Sequence, residues 1–206
     1  PFPFGTVKEA FIINDNLLTN FKNFPTNVGG DFDANNNKFT SLEGMPQCKS
    51  GIDLSMNEIG SFEGIQETIY SHLLIDHNLL ASLKGAPKSI AKSFMISNNQ
   101  ISSFDGAPET IGLSLYIGHN KFTSLKGIHN HIKKLGGKIA MAHNPISGSI
   151  IDALRIEGFK GFYLTNLDPK LEEACKIINK HVGKGRSGVL DAIEELVEHD
   201  LEQYCE

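Results

Sequence analysis

Seven times along the chain a six-residue stretch alternates apolar or small residues with polar ones and closes on asparagine. The stretches are FIINDN (11–16), FDANNN (32–37), IDLSMN (52–57), LLIDHN (73–78), FMISNN (94–99), LYIGHN (115–120) and IAMAHN (139–144). Five and three residues before each Asn stand Phe11/Ile13, Phe32/Ala34, Ile52/Leu54, Leu73/Ile75, Phe94/Ile96, Leu115/Ile117 and Ile139/Met141. Period-two alternation over so few residues predicts a short strand with one buried face. A repeat this small cannot bury its apolar face alone, so the copies must stack.

The segment after each Asn repeats too. An apolar residue follows two positions on, from Leu18 through Phe39, Ile59, Leu80, Ile101 and Phe122 to Ile146. A second follows five positions on as Phe21, Leu42, Phe62, Leu83, Phe104 and Leu125. Then comes Gly (44, 64, 85, 106, 127) and usually Pro (25, 46, 87, 108). Gly admits positive φ and Pro holds φ near −65°, so the pair predicts a turn on the convex side. Val28, Ile69, Ile90, Ile111 and Ile132 announce the next strand. The asparagines Asn16, Asn37, Asn57, Asn78, Asn99, Asn120 and Asn144 are expected to form an inward ladder, each amide satisfying turning backbone above and below it.

This pattern resembles the leucine-rich repeat, with its L-x-x-L-x-L-x-x-N-x-L core. Stretches such as VGGDFDANNNKFTSLEGMP (28–46) and NNQISSFDGAPETI (98–111) resemble short-repeat proteins of T4-like tailed bacteriophages, and are similar to leucine-rich effectors of enteric pathogens. The first apolar residue lies nine before the Asn rather than eight, and a small bulge is expected to absorb the extra residue. The resemblance implies an α/β solenoid with a parallel concave sheet of about seven strands, irregular convex turns and a C-terminal helical cap. Residues 1–147 form the solenoid in this reading and 148–206 the capping region.

Beyond Asn144 the pattern decays. Residues 148–157 read as a short helix and GFYLTN (161–166) as a last strand-like segment. Asp168–Pro169 opens a helix, since Asp is a good N-cap and Pro suits the first helical position. A second helix is expected from about Ser187 to Tyr204, with Leu190, Ile193, Val197, Leu201 and Tyr204 on one face. Such an amphipathic pair would shield the last coil.

Composition adds limits. Residues 168–206 carry ten acidic and five basic residues, which accounts for the whole net charge of −5. The repeats are therefore near neutral, and without a Lys/Arg stripe on the strands no nucleic-acid partner is expected. No apolar run approaches a membrane span. Cys48, Cys175 and Cys205 form no C-x-x-C pair, so a reducing compartment is expected: the host cytoplasm for a phage protein, or the virion. Thirteen Phe and no Trp predict a spine of stacked rings.

Catalytic chemistry is not written into any of this. Gly183-Lys184-Gly185-Arg186-Ser187-Gly188 matches G-x-G-x-x-G by letter, yet links two helices instead of following a strand. His119 and His143 fall on adjacent strands, but no Cys joins them to make a zinc set, so neither metal nor cofactor is expected. The resemblance to leucine-rich effectors does not bring their ligase activity, because the Cys-x-Asp motif is absent. The concave face is the expected binding surface: acidic early at Asp33, Asp53 and Asp76, and later carrying Leu74, His77, Met95, Tyr116 and His119. Exposed Leu, Met and Tyr among polar groups is interface composition. The expected function is a non-enzymatic protein–protein interaction module, a phage protein binding or inhibiting a host protein, with a structural virion component as the alternative. The partner is another protein, and the chain itself a monomer or weak oligomer.

Overall fold

A computed structural model describes residues 5–205. It is a mixed α/β solenoid with helices at its C-terminal end. Seven two-residue strands stack in parallel and in unbroken chain order: Phe11–Ile12, Phe32–Asp33, Ile52–Asp53, Leu73–Leu74, Phe94–Met95, Leu115–Tyr116 and Ile139–Ala140. The first residue of every strand faces the core and the second faces the concave surface. Ala34, the smallest residue of its row, is fully buried among larger neighbours.

The extra residue before each strand does something other than bulge. Val28, Cys48, Ile69, Ile90, Ile111 and Leu135 lie on strands of their own, forming a second column of parallel pairs joined to the concave sheet by a bend. At this bend coils approach closely; a Cβ on Gly29 would lie 2.0 Å from the carbonyl oxygen of Lys8. Leu135, not Ile132, holds this position in its coil. The three additional residues are taken up by the single helical turn α1 (Ile128–His131), of which Ile132 is the C-cap.

The second column is broken between Gln47–Cys48 and Thr68–Ile69. Gln66 stands where other coils have Pro, and its side chain fills the gap. Oε1 accepts from the Cys48 N–H at 2.7 Å, and Nε2 donates to the carbonyls of Cys48 (2.9 Å) and Thr68 (2.6 Å). A side-chain amide thus replaces one rung of backbone pairing.

The asparagine ladder is directional. Asn78 is typical: Nδ2 donates to Ile75 and Asp76 of its own coil (both 3.2 Å) and to Leu54 of the preceding one (3.0 Å), while Oδ1 accepts from the Ile59 N–H (2.9 Å). Asn37, Asn57, Asn99, Asn120 and Asn144 likewise reach backward. None of these side-chain amides bonds the coil that follows, as the expectation of contacts on both sides had required; that side is met by backbone, as where the Asn78 N–H donates to the Asn98 carbonyl (3.3 Å). A carboxamide has one acceptor and one donor end, and both are spent on one neighbouring coil. The Asn16 side chain, with no described coil before it, bonds only Ile13 and Asn14 among the described residues and is exposed.

The residue before each ladder Asn adopts left-handed backbone. Asp15, Asn36, Met56, His77, Asn98, His119 and His143 all have φ between 51° and 58°. Asp, Asn and His are the non-glycine residues that tolerate this region best, which accounts for the recurrent histidines without any ligand. Met56 is the exception, and its side chain is exposed. Met56→Asn is therefore expected to stabilise the fold by about 0.5–1 kcal/mol, the left-handed penalty being roughly 1–2 kcal/mol per residue. Thermal melts of the two proteins test it; a lower melting temperature for the variant would be the wrong sign.

Phenylalanine packing is local rather than a continuous spine. Phe21 stacks on Phe39 (4.2 Å) and Phe104 on Phe122 (4.5 Å), while Leu42 and Leu83 interrupt the row between them.

The array continues past Asn144. Phe162 pairs in parallel with Ile139, and Glu157 with Lys134, so residues 157–167 form an eighth partial coil. Within it Asn166 (φ 57°) occupies the left-handed position and Leu167 the ladder position. The predicted helix over 148–157 is one 3-10 turn, Ile151–Arg155. Helix α2 (Pro169–His181) starts as expected, with the Asp168 carboxylate accepting from the Leu171 N–H at 3.1 Å. Its Asn179 caps the final sheet edge, accepting from the Phe162 N–H (2.7 Å) and donating to the Phe162 carbonyl (3.1 Å). Helix α3 (Gly185–Glu198) ends earlier than predicted, because Asp200 turns left-handed (φ 55°) before a 3-10 turn at Glu202–Tyr204.

Candidate functional site

The concave sheet presents Ile12, Asp33, Asp53, Leu74, Met95, Tyr116 and Ala140 as one row of side chains in register. From Asp33 to Ala140 all are half-buried: wide enough open to be touched, yet held by their neighbours. His77 and His119 lie at the rim, on the left-handed turn, and are exposed.

At the early end the carboxylates gather. Asp33 Oδ1 accepts from the Asn35 backbone N–H (3.1 Å) and side-chain amide (2.6 Å); Asp53 Oδ1 accepts from the Ser55 N–H (2.9 Å). Ser55 Oγ donates to Asp76 (3.1 Å), whose other oxygen lies 3.0 Å from His77 Nδ1. Burial pushes the Asp53 carboxyl above its ordinary value, and the charges of Asp33 and Asp76 push the same way against the Ser55 hydrogen bonds. A cation placed here would relieve that strain on the charged form.

A shallow pocket of about 430 Å³ opens beside this cluster, lined among others by Asp31, Asp33, Asp53, His72, Leu74 and Lys92. Asp31 is held below the ordinary carboxylate range by hydrogen bonds from Ser50 and the Gly51 N–H. The Ser93 N–H donates to His72 Nδ1 at 3.3 Å, which puts the ring proton on Nε2. His72 and Lys92 precede their strands and carry no repeat signature, so sequence reasoning had not picked them out.

The far end is aromatic. Tyr163, from the eighth coil, stacks on Tyr116 with centroids 5.8 Å apart, planes at 24° and hydroxyls 3.4 Å apart. Ser114 Oγ lies 3.4 Å from the Tyr163 hydroxyl, and the Lys138 ammonium sits 5.5 Å over its ring. Hydrogen bonds from Ser114 and Tyr116 lower the Tyr163 phenol, while the bond to Tyr163 raises that of Tyr116. Tyr163 escaped the sequence reading because its coil lacks the ladder Asn. Aligning the segment on Asn166 shifts it by one position, which moves Tyr163 off the concave row.

The rim histidines His119 and His143 stack face to face at 4.2 Å. Burial pushes the Cys48 thiol up to about 12 and the Cys175 thiol higher still, so both are inert packing groups. The G-x-G-x-x-G letters lie in the α2–α3 connection and first turn of α3. No helix among the described residues is long and apolar enough to cross a membrane.

These features define a parallel-strand solenoid of stacked coils, consistent with a leucine-rich-repeat-like fold. Neither protein-family models, nor curated proteins, nor solved structures yield a match to the chain.

Proposed function

We propose that the chain is a non-enzymatic protein-interaction module that engages its partner through the concave face. The observation that carries this reading is the graded row on one rigid sheet. It runs from Asp33 and Asp53 through the half-exposed Leu74 and Met95 to the stacked pair Tyr116 and Tyr163. Interfaces are enriched in aromatic and Met residues. The graded charge favours a partner segment with basic residues toward the first coils and apolar ones over Met95. The resemblance of residues 28–46 and 98–111 to short-repeat phage proteins supports a bacterial host protein as target.

The test is affinity capture from a bacterial lysate with immobilised wild-type chain and with the double variant Met95→Asp/Tyr116→Asp. The variant is expected to lose at least about tenfold of the captured partner, equivalent to about 1.4 kcal/mol. Its circular dichroism should match that of wild type, with at most a modest fall in melting temperature from the lost Tyr116–Tyr163 contact, since both side chains point off the core. Undiminished capture by a folded variant would move the interface off the concave face.

A further inference from the structure

Helix α3 carries its charges against its own dipole. Lys184 and Arg186 stand at its N-terminus, while Glu194 and Glu198 lie toward its C-terminus. There is no acidic residue in the first turn, no basic residue in the last, and no side-chain N-cap. A helix carries partial positive charge at its N-terminus and negative at its C-terminus, so this distribution destabilises α3 taken alone. Among the described residues, Arg186, Glu194 and Glu198 enter none of the ion pairs; the helix's one engaged carboxylate is Glu195, held by Lys180 and His181.

Along α3 runs an apolar stripe. Arg186, Leu190, Ile193 and Val197 follow i, i+4, i+7, i+11 spacing, the seam of a paired helix. Leu190 is 59% and Val197 53% exposed, while Ile193 is half-buried at the border with the adjoining buried face (Val189, Ala192, Leu196). Beside the N-terminal half of the stripe lies a groove of about 550 Å³, floored by Val189 and Ile193 and edged by Leu154, Arg155 and Arg186.

We propose that this stripe is the seam of a two-fold, antiparallel pairing of α3 with α3 of a second copy of the chain. Self-complementarity selects that occupant. A two-fold axis crossing the helix near residues 191–192 sets Leu190 against Ile193 of the second copy, and Arg186 against its Val197. Each basic N-terminus then lies beside an acidic C-terminus, so that Arg186 of one copy comes within reach of Glu194 and Glu198 of the other, which flank the seam. Antiparallel packing also opposes the two helix dipoles, which removes the mismatch that a single α3 carries. Val197 of the second copy enters the groove at Arg186. A parallel arrangement would stack like charges at both ends. A helix of this length, roughly 21 Å at 1.5 Å per residue, gives a small interface and a weak, reversible dimer. This pairing is independent of the concave-face reading.

Sedimentation velocity of the full chain from about 10 µM to about 1 mM tests it, a range suited to interfaces this small. The wild-type sedimentation coefficient is expected to rise reversibly with concentration, and Leu190→Asp to abolish the rise. Arg186→Glu should weaken dimerisation at least about tenfold, and adding Glu198→Arg should restore it to within about threefold, because the swap re-creates opposite charges across the axis. Circular dichroism checks that the variants fold, as all three positions are exposed. A wild-type coefficient flat across the range would overturn the proposal and give the stripe to a different protein. So would a dimer that survives Leu190→Asp, or a charge swap that rescues nothing.

Discussion

Asn78→Leu is expected to cost about 4 kcal/mol of stability, far more than an average substitution. Leucine matches the volume but removes four hydrogen bonds, and the groups left behind have no water to turn to. The Ile59 N–H and the Leu54 carbonyl belong to residues that are fully buried. Each orphaned backbone group costs roughly 1–3 kcal/mol, and Ile75 loses a partner as well. The control is built into the array: Asn16→Leu, at the exposed first coil, strands no preceding coil and should cost under about 1 kcal/mol. Urea denaturation of the two variants separates them. Equal losses at both positions would mean that the ladder contributes through local turn geometry, not by joining coils.

Deleting residues 168–206 is expected to leave an aggregating chain. Helices α2 and α3 and the following turn bury Leu171, Ile177, Ile178, Leu196 and Leu201 on the eighth coil and the 3-10 turn. At roughly 1.5–3 kcal/mol for each fully buried side chain, these supply about 10 kcal/mol, comparable to the whole stability of an ordinary domain. The deletion also strips Asn179 from Phe162, freeing a sheet edge to pair with other chains. Size-exclusion chromatography with dye binding to exposed apolar surface reads the outcome. A soluble, monomeric, fully helical-signal-depleted array would instead identify the helices as an appended module.

What the sequence disclosed, it disclosed through period. A strand row, a ladder Asn and a buried +2 and +5 pair recur in phase, and period survives any variation in the individual residues. The second column was marked only as a strand start: Val28, Ile69, Ile90 and Ile111 recur in phase, but two residues hold no alternation to show that they form strands of their own, and Cys48 and Leu135 break the pattern. The left-handed row was hidden for the opposite reason. Asp15, Asn36, Met56 and His77 share a backbone conformation but not a residue type, so a row that sequence showed as stacked side chains gained its common cause only from φ. Half of the candidate site lay in plain view, because Leu74, Met95 and Tyr116 sit at one repeat position. Tyr163, His72 and Lys92 became visible only once the coils were placed, the first because Leu167 replaces the residue that sets the register.

The backward reach of the ladder amides from Asn37 onward also gives the molecule a direction. A coil that has just left the ribosome holds unmet backbone groups until the next Asn, some twenty residues later, arrives to close them. Each turn from the second onward thus seals its predecessor, and the array presents one open seam at its C-terminal end. At Leu167 the amide is missing and no further coil is called for; the helices that follow take over the seam, with Asn179 supplying from outside the array the last amide that the array does not carry itself.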